Sequence, residues 1–222
     1  MGQYYKPYLR FEDGTEETYS SQSAIFLTKH HLADETELEG VVKMWNADPD
    51  SWGYNFSGLK LLEHSWMKND FVNGVLERIW DNPANVAWVG DYSDEEANNS
   101  EIGGFDMDVY GKVWSDKALP KLAFPELPKV HRKGYLINHD LGVYVSLSAF
   151  EKTNGKKDGE YYWCLHPLPM LTAIGNGKGC GDYPYNAIGA KHVGEWALDL
   201  LSFSETKPDG MSEIWYKFDS AV

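Results

Sequence analysis

Cysteine is scarce: the 222 residues hold two, Cys164 and Cys180. That is too few for a disulfide framework, so reduced thiols are expected. Long apolar runs are missing too. No stretch approaches the ~20 residues needed to cross a bilayer, and the opening Met1-Gly2-Gln3-Tyr4-Tyr5-Lys6-Pro7 lacks the basic-then-apolar order of an export signal. A cytoplasmic setting is the expectation. Positive charge is the third shortage, with 20 Lys and Arg against 34 Asp and Glu, a net charge of -14. Residues 1–110 hold 7 basic and 21 acidic side chains, whereas residues 111–222 hold 13 of each, so the whole excess lies in the first half. Binding a phosphate backbone or an anionic membrane requires Lys and Arg to displace counterions, and both are disfavoured. A basic protein surface is the better electrostatic match. The plainer use of such charge is solubility.

What is present suffices for a core, since 42% of residues are hydrophobic and 14% aromatic. Tyr5, Pro7, Leu9 and Phe11 alternate with Lys6, Tyr8 and Arg10, which predicts a half-buried strand closed by the turn signal Asp13-Gly14. Asp34-Glu35-Thr36-Glu37 opens a helix carrying Leu38, Val41, Val42 and Trp45. Leu59, Leu62 and Trp66 predict a second helix. Phe71, Val75, Leu76, Ile79 and Trp80 predict a third, stopped by Asp81-Asn82-Pro83. Val86-Ala87-Trp88-Val89 reads as a strand followed by an acidic loop.

Pro120, Pro125 and Pro128 make residues 116–129 a connector. Beyond it, residues 134–137 and 143–147 predict a hairpin about Asn138-His139-Asp140-Leu141-Gly142. Residues 152–159 form a polar tip, residues 161–165 a strand, and residues 198–203 pair with residues 214–218 across Pro208-Asp209-Gly210. The expected class is α+β: a mixed or antiparallel sheet, two to three helices in the first half and a mainly β second half. One compact domain over 1–222 is expected, divisible into an acidic lobe, 1–115, and a mainly β lobe, 130–222.

The outstanding local feature is Gly175-Asn176-Gly177-Lys178-Gly179-Cys180-Gly181-Asp182-Tyr183, whose glycines permit positive φ and close approach. A Walker loop would need Gly at Thr172 and a hydroxyl at Gly179, and a dinucleotide fingerprint would need Gly at Cys180; neither fits. A nest of amides beside Lys178 could still take an anion, which makes Gly177, Lys178, Gly179, Gly181 and Tyr183 the candidate ligand-binding residues. In that reading His64, His166 and Asp182 are the acid and base candidates, with His64 and Glu63 set beside apolar helix positions. Cys180 fits no catalytic cysteine signature. Cys164, His166, Cys180 and His192 are of zinc-ligand type, but their spacing is unlike the common zinc modules, and no metal or cofactor is assigned. Asp106 and Asp108 lack calcium-loop spacing. For all these groups the simpler reading is structural: a buried thiol, a hydrogen-bonded core histidine and a solvated acidic face.

Several blocks carry a resemblance. Met1-Gly2-Gln3-Tyr4-Tyr5, residues 58–66 (GLKLLEHSW), residues 86–92 (VAWVGDY), His166-Pro167-Leu168, Leu171-Thr172-Ala173 and the glycine-rich stretch resemble a group of uncharacterised bacterial and phage proteins with no established activity. The blocks cover about a third of the chain. Where that group carries another glycine this chain has Cys180, which argues against a catalytic thiol. The resemblance implies a bacterial or phage cytoplasmic setting and no particular reaction.

Two functional readings follow. In the first, a non-enzymatic binding protein of inhibitory, anti-defence or immunity type covers a basic protein surface with its acidic, aromatic-rich first half; Trp45, Trp52, Trp66, Asp94, Glu95 and Glu96 are the contact candidates. In the second, a small-molecule binder or hydrolase for a nucleotide or phosphorylated ligand is built on residues 175–183.

Overall fold

Strand β1, Tyr5–Phe11, is the first of the described elements. The computed structural model describes residues 5–19, 70–91, 93, 109–115, 118–122, 129–158, 161–175 and 187–218. The Asp13-Gly14 turn, with Gly14 at a φ of 84°, returns the chain as β2, Glu16–Tyr19, so that Tyr8 faces Thr18. Helix α1, Asp70–Arg78, presents Phe71, Val72, Val75 and Leu76 to the core. Strand β3, Ala84–Gly90, then lies antiparallel to β1 along all seven residues. Helix α2 is Val109–Trp114, and β4 is Lys121–Leu122, inside the stretch expected to be a connector.

The expected hairpin forms as β5, Tyr135–Asn138, and β6, Val143–Ser146. Two helices follow that the apolar spacing did not announce. Helix α3, Leu147–Asn154, is capped by the Ser146 hydroxyl, which accepts from the Ala149 amide; it takes Lys152 and its neighbours out of the expected polar tip. A two-stranded ribbon of β7, Lys156–Asp158, and β8, Tyr161–Trp163, comes next. Helix α4, Pro167–Thr172, leads into β9, Ala173–Ile174. A short 3-10 turn, Ala190–His192, precedes β10, Leu200–Ser204, and β11, Ser212–Glu213.

Among the described residues nine strands form one mixed, mostly antiparallel sheet in the order β11-β6-β5-β10-β3-β1-β2-β4, with β9 also on β3. The fold is α+β. Strands from both halves of the chain therefore bond within a single sheet. The expected pairing of residues 198–203 with residues 214–218 does not occur. Strand β10 has β5 on one edge and β3 on the other, so the chain passes the Pro208-Asp209-Gly210 turn and adds β11 parallel to β6 at the sheet's margin.

Side-chain alternation divides the sheet into two faces. Leu9, Phe11, Ala84, Val86, Trp88, Leu136, Leu201 and Phe203 join α1, α3 and α4 in the main core. On the opposite face Tyr8, Ala87 and Val89 pack with Val109 and Val113 of α2. The first strand is consequently buried on both faces rather than one, Lys6 included, because α2 covers the side expected to meet water. The Lys6 ammonium lies 3.6 Å from the centroid of the Trp114 ring, a cation–π contact that makes its burial tolerable.

Candidate functional site

The second edge of β3 is shared by two strands. Asn85 and Ala84 pair with Leu200 and Leu201 of antiparallel β10, while Trp88 and Val89 pair with Ala173 and Ile174 of parallel β9. Between them stands Leu198, a buried residue at a φ of 66°. Its amide donates to the Val86 carbonyl at 2.8 Å, and its own carbonyl accepts from the Asn85 side chain at 2.9 Å. These bonds hold a left-handed conformation that costs a leucine about 1–2 kcal/mol.

The parallel register makes Gly90 and Gly175 leave the sheet side by side, and Tyr5 faces Gly90 across the β1 pairing. Three of the blocks noted above, around Tyr5, Gly90 and Gly175, thus reach one end of the sheet. That end is braced: the Trp114 indole donates to the Val89 carbonyl at 3.0 Å, and the Ser93 hydroxyl donates to the Gly90 carbonyl at 2.8 Å. The carboxyl ends of adjacent parallel strands are where ligands bind in open α/β sheets.

His166 sits at the other end of α4. It is fully buried, and its Nδ1 accepts from the Leu168 amide at 3.1 Å, capping the helix. An accepting Nδ1 fixes the neutral tautomer with the proton on Nε2. Nε2 has no hydrogen-bond partner among the described residues. Burial, with a smaller push from His131, lowers its pKa to about 3, so the ring is neutral across the physiological range. Nε2 cannot offer a lone pair to a metal unless the cap is given up.

Sequence reasoning missed a second group. His139 Nε2 and the Ser202 hydroxyl are 2.8 Å apart, and Asp140 and Asp199 are near. Burial raises the Asp199 pKa against the opposing hydrogen bond from Asn138, which donates to Oδ2 at 2.7 Å. The distance suits a nucleophile and its base, but the setting does not. Ser202 is buried within β10 opposite Ile137. The next amide, Phe203 N–H, which would serve an oxyanion, donates to the Ile79 carbonyl at 3.0 Å. The Asp140 carboxylate accepts from the Leu200 amide at 2.8 Å. The cluster ties the β5–β6 turn to β10. Only the proximity of residues 139 and 202 in the sheet register creates it, and no local motif signals that.

Cys164 is buried and free, its thiol pushed up to about 12 by desolvation. Among the described residues no three His, Cys, Asp or Glu side chains are placed to hold a metal ion. His64 and Asp182, the ligand candidates Gly177, Lys178, Gly179, Gly181 and Tyr183, and the contact candidates Trp45, Trp52, Trp66, Asp94, Glu95 and Glu96 lie outside the described residues. Of the first-half acids that are described, Glu16 is paired with Lys112 at 2.6 Å, and Glu17 with Arg78. Glu12, Asp13 and Asp81 are exposed.

No protein-family model, curated protein or solved structure matches the chain. Among the described residues no helix is long and apolar enough to cross a membrane.

Proposed function

We propose that the protein acts by binding, without catalysis, a partner that presents a basic protein surface to its acidic first half, as an inhibitory or immunity-type protein does. The observation that carries this reading is the distribution of charge: 21 acidic against 7 basic side chains in residues 1–110, and balance thereafter. Concentrated negative potential accelerates encounter with a cationic partner and makes association strongly salt-dependent. Glu16 and Glu17 are consumed inside the fold, so the exposed Glu12, Asp13 and Asp81, together with the thirteen first-half acids beyond the described residues, carry the docking charge. His166 is held neutral, and the Phe203 amide that follows Ser202 is already bonded to the Ile79 carbonyl, which favours binding over hydrolysis. The test is retention of a bacterial host protein on the immobilised full chain at low and high salt. Retention lost at high salt supports the reading; no retention, or retention indifferent to salt, refutes it.

A second reading has one specific observation in its favour. The glycine-rich stretch departs from Gly175 beside Gly90, at the carboxyl ends of two parallel strands. A nucleotide or other phosphorylated ligand held there by Lys178 and neighbouring amides would raise the melting temperature. At 100 times its Kd such a ligand adds about 2.7 kcal/mol. A thermal-shift screen with nucleotides and inorganic phosphate that shows no change removes this reading.

A further inference from the structure

Residues 129–134 lead from the connector into β5, and their two ends are held by different chemistry. At the first end the Lys129 amide donates to Glu77 Oε1 at 2.8 Å, and the His131 amide donates to the buried Asn73 Oδ1 at 2.7 Å. Both acceptors stand on α1. The His131 ring, 3% exposed, is wedged edge-on between Trp80 and Phe203, with centroids 5.2 and 5.1 Å away. At the second end Arg132 pairs with Glu151 of α3, and the Gly134 carbonyl accepts from the Leu147 amide at 2.9 Å. Gly134 is pressed so close to Phe203 that a Cβ there would meet the ring at 2.7 Å. No histidine takes part in that second anchorage.

We propose that residues 129–131 form a strap latched to α1 by neutral His131 and released when the ring takes up a proton, freeing the end of the proline-rich connector.

Among the described residues, four charged or titratable groups face the ring. Glu77 of α1 approaches Nε2 at 3.6 Å, beyond hydrogen-bond distance, through the same oxygen that already accepts from Lys129; its side chain is 42% exposed. Lys129 on the strap opposes a further positive charge, Glu205 beyond β10 favours it, and His166 at the head of α4 lies within electrostatic reach. Neutral His166 carries its proton on Nε2, with Nδ1 occupied by the Leu168 amide, so it offers no lone pair to an imidazolium at His131. A charge on His131 would therefore sit between two aromatic rings, answered by the screened Glu77 and, more weakly, by Glu205. Desolvation outweighs Glu77, and the His131 pKa lies below the ordinary value of 6.5. Released into water, the ring regains that value, so each proton taken up favours the open strap.

The test is amide hydrogen exchange on the full chain at pH 7.5 and 5.0, corrected for the intrinsic rates and referred to the β3 amides. Residues 129–131 are expected to lose protection severalfold, up to about thirtyfold if the closed ring takes no proton at pH 5.0. The amides of residues 134–138 stay protected. His131→Phe, which fills the same cage and cannot titrate, abolishes the loss. Glu77→Gln keeps an oxygen for the Lys129 amide but removes the one close anion, so its loss at pH 5.0 is at least as deep as in the wild type. Unchanged wild-type protection overturns the proposal, as does an equal loss in His131→Phe. Should His131→Phe fail to fold, His131→Leu takes its place, and an equal acid loss there overturns the proposal; so does an acid loss in Glu77→Gln shallower than in the wild type.

Discussion

The guanidinium of Arg78, at the end of α1, donates from Nε to Glu17 Oε2 at 2.9 Å and from Nη2 to Oε1 of the same carboxylate, 61 residues earlier in the chain. Tyr19 donates to the same Oε2 at 2.7 Å. Glu17 is nearly buried, and the bidentate pair fastens the helix to the outer part of the sheet. Removing the cation strands a desolvated carboxylate, which costs more than the pair itself is worth. Arg78→Met is expected to lower stability by about 2 kcal/mol in urea unfolding at pH 7. Glu17→Gln, which keeps the Tyr19 acceptor, costs about half as much. A cost below about 0.5 kcal/mol for Arg78→Met would mean that water already serves the carboxylate.

Gly194 gives a contrast between space and conformation. It adopts a φ of 79°, and a Cβ there would collide with the Ala173 carbonyl oxygen, where residues 194–196 clasp α4 through the Met170 and Leu171 carbonyls. At Gly14 the φ is 84°, but the space beside it is open. Gly14→Ala is expected to cost about 1 kcal/mol from backbone strain alone. Gly194→Ala adds displacement of β9 and is expected to cost at least about 3 kcal/mol. Equal melting temperatures for the two variants would contradict this assignment.

Elements with local signals were legible in the sequence. Alternation placed β1, helical spacing placed α1, and Asp13-Gly14 and the polar residues 138–142 placed two turns. Helix α4 was not legible because Pro167 and Pro169 occupy its first turn, where proline is tolerated though it breaks helices elsewhere. Helix α3 was hidden because Val143 to Leu147 reads as one apolar run, whereas Ser146 ends the strand and caps the helix. The parallel partners β9 and β11 are two residues each and are set by what already occupies the sheet edges. Of the candidate site, His166 was singled out, but its capping role was not; Leu198, Asp199 and the His139–Ser202 contact depend on long-range register.

His166 should mark the acid limb of stability. Its pKa is about 3 in the fold against an ordinary 6.5, so below pH 6.5 the unfolded chain binds a proton that the native state refuses. Stability from this group is complete above 6.5 and falls by about 1.4 kcal/mol per pH unit until about pH 3. His166→Asn, which retains a capping side chain without titrating, is expected to flatten the stability curve between pH 6.5 and 4.5 by about that slope. Urea midpoints at pH 7, 6 and 5 measure it; parallel curves for the two proteins would contradict it.

Cys164 should be inert while the protein is folded. The thiol is buried, donates to the Leu165 carbonyl at 3.3 Å and titrates at about 12, leaving almost no thiolate at neutral pH. Mass spectrometry after iodoacetamide at pH 8 is expected to find it unmodified in buffer and modified in denaturant. Rapid labelling in buffer would show that residues 161–166 open readily.

Docking through negative charge is tested most directly by comparing the wild-type chain with a triple variant, Asp94→Asn, Glu95→Gln and Glu96→Gln, on the same bacterial lysate. The wild-type chain is expected to retain a basic polypeptide that rising salt releases, and the variant to retain markedly less at equal salt. A partner held equally by both proteins, and equally at low and high salt, would contradict it.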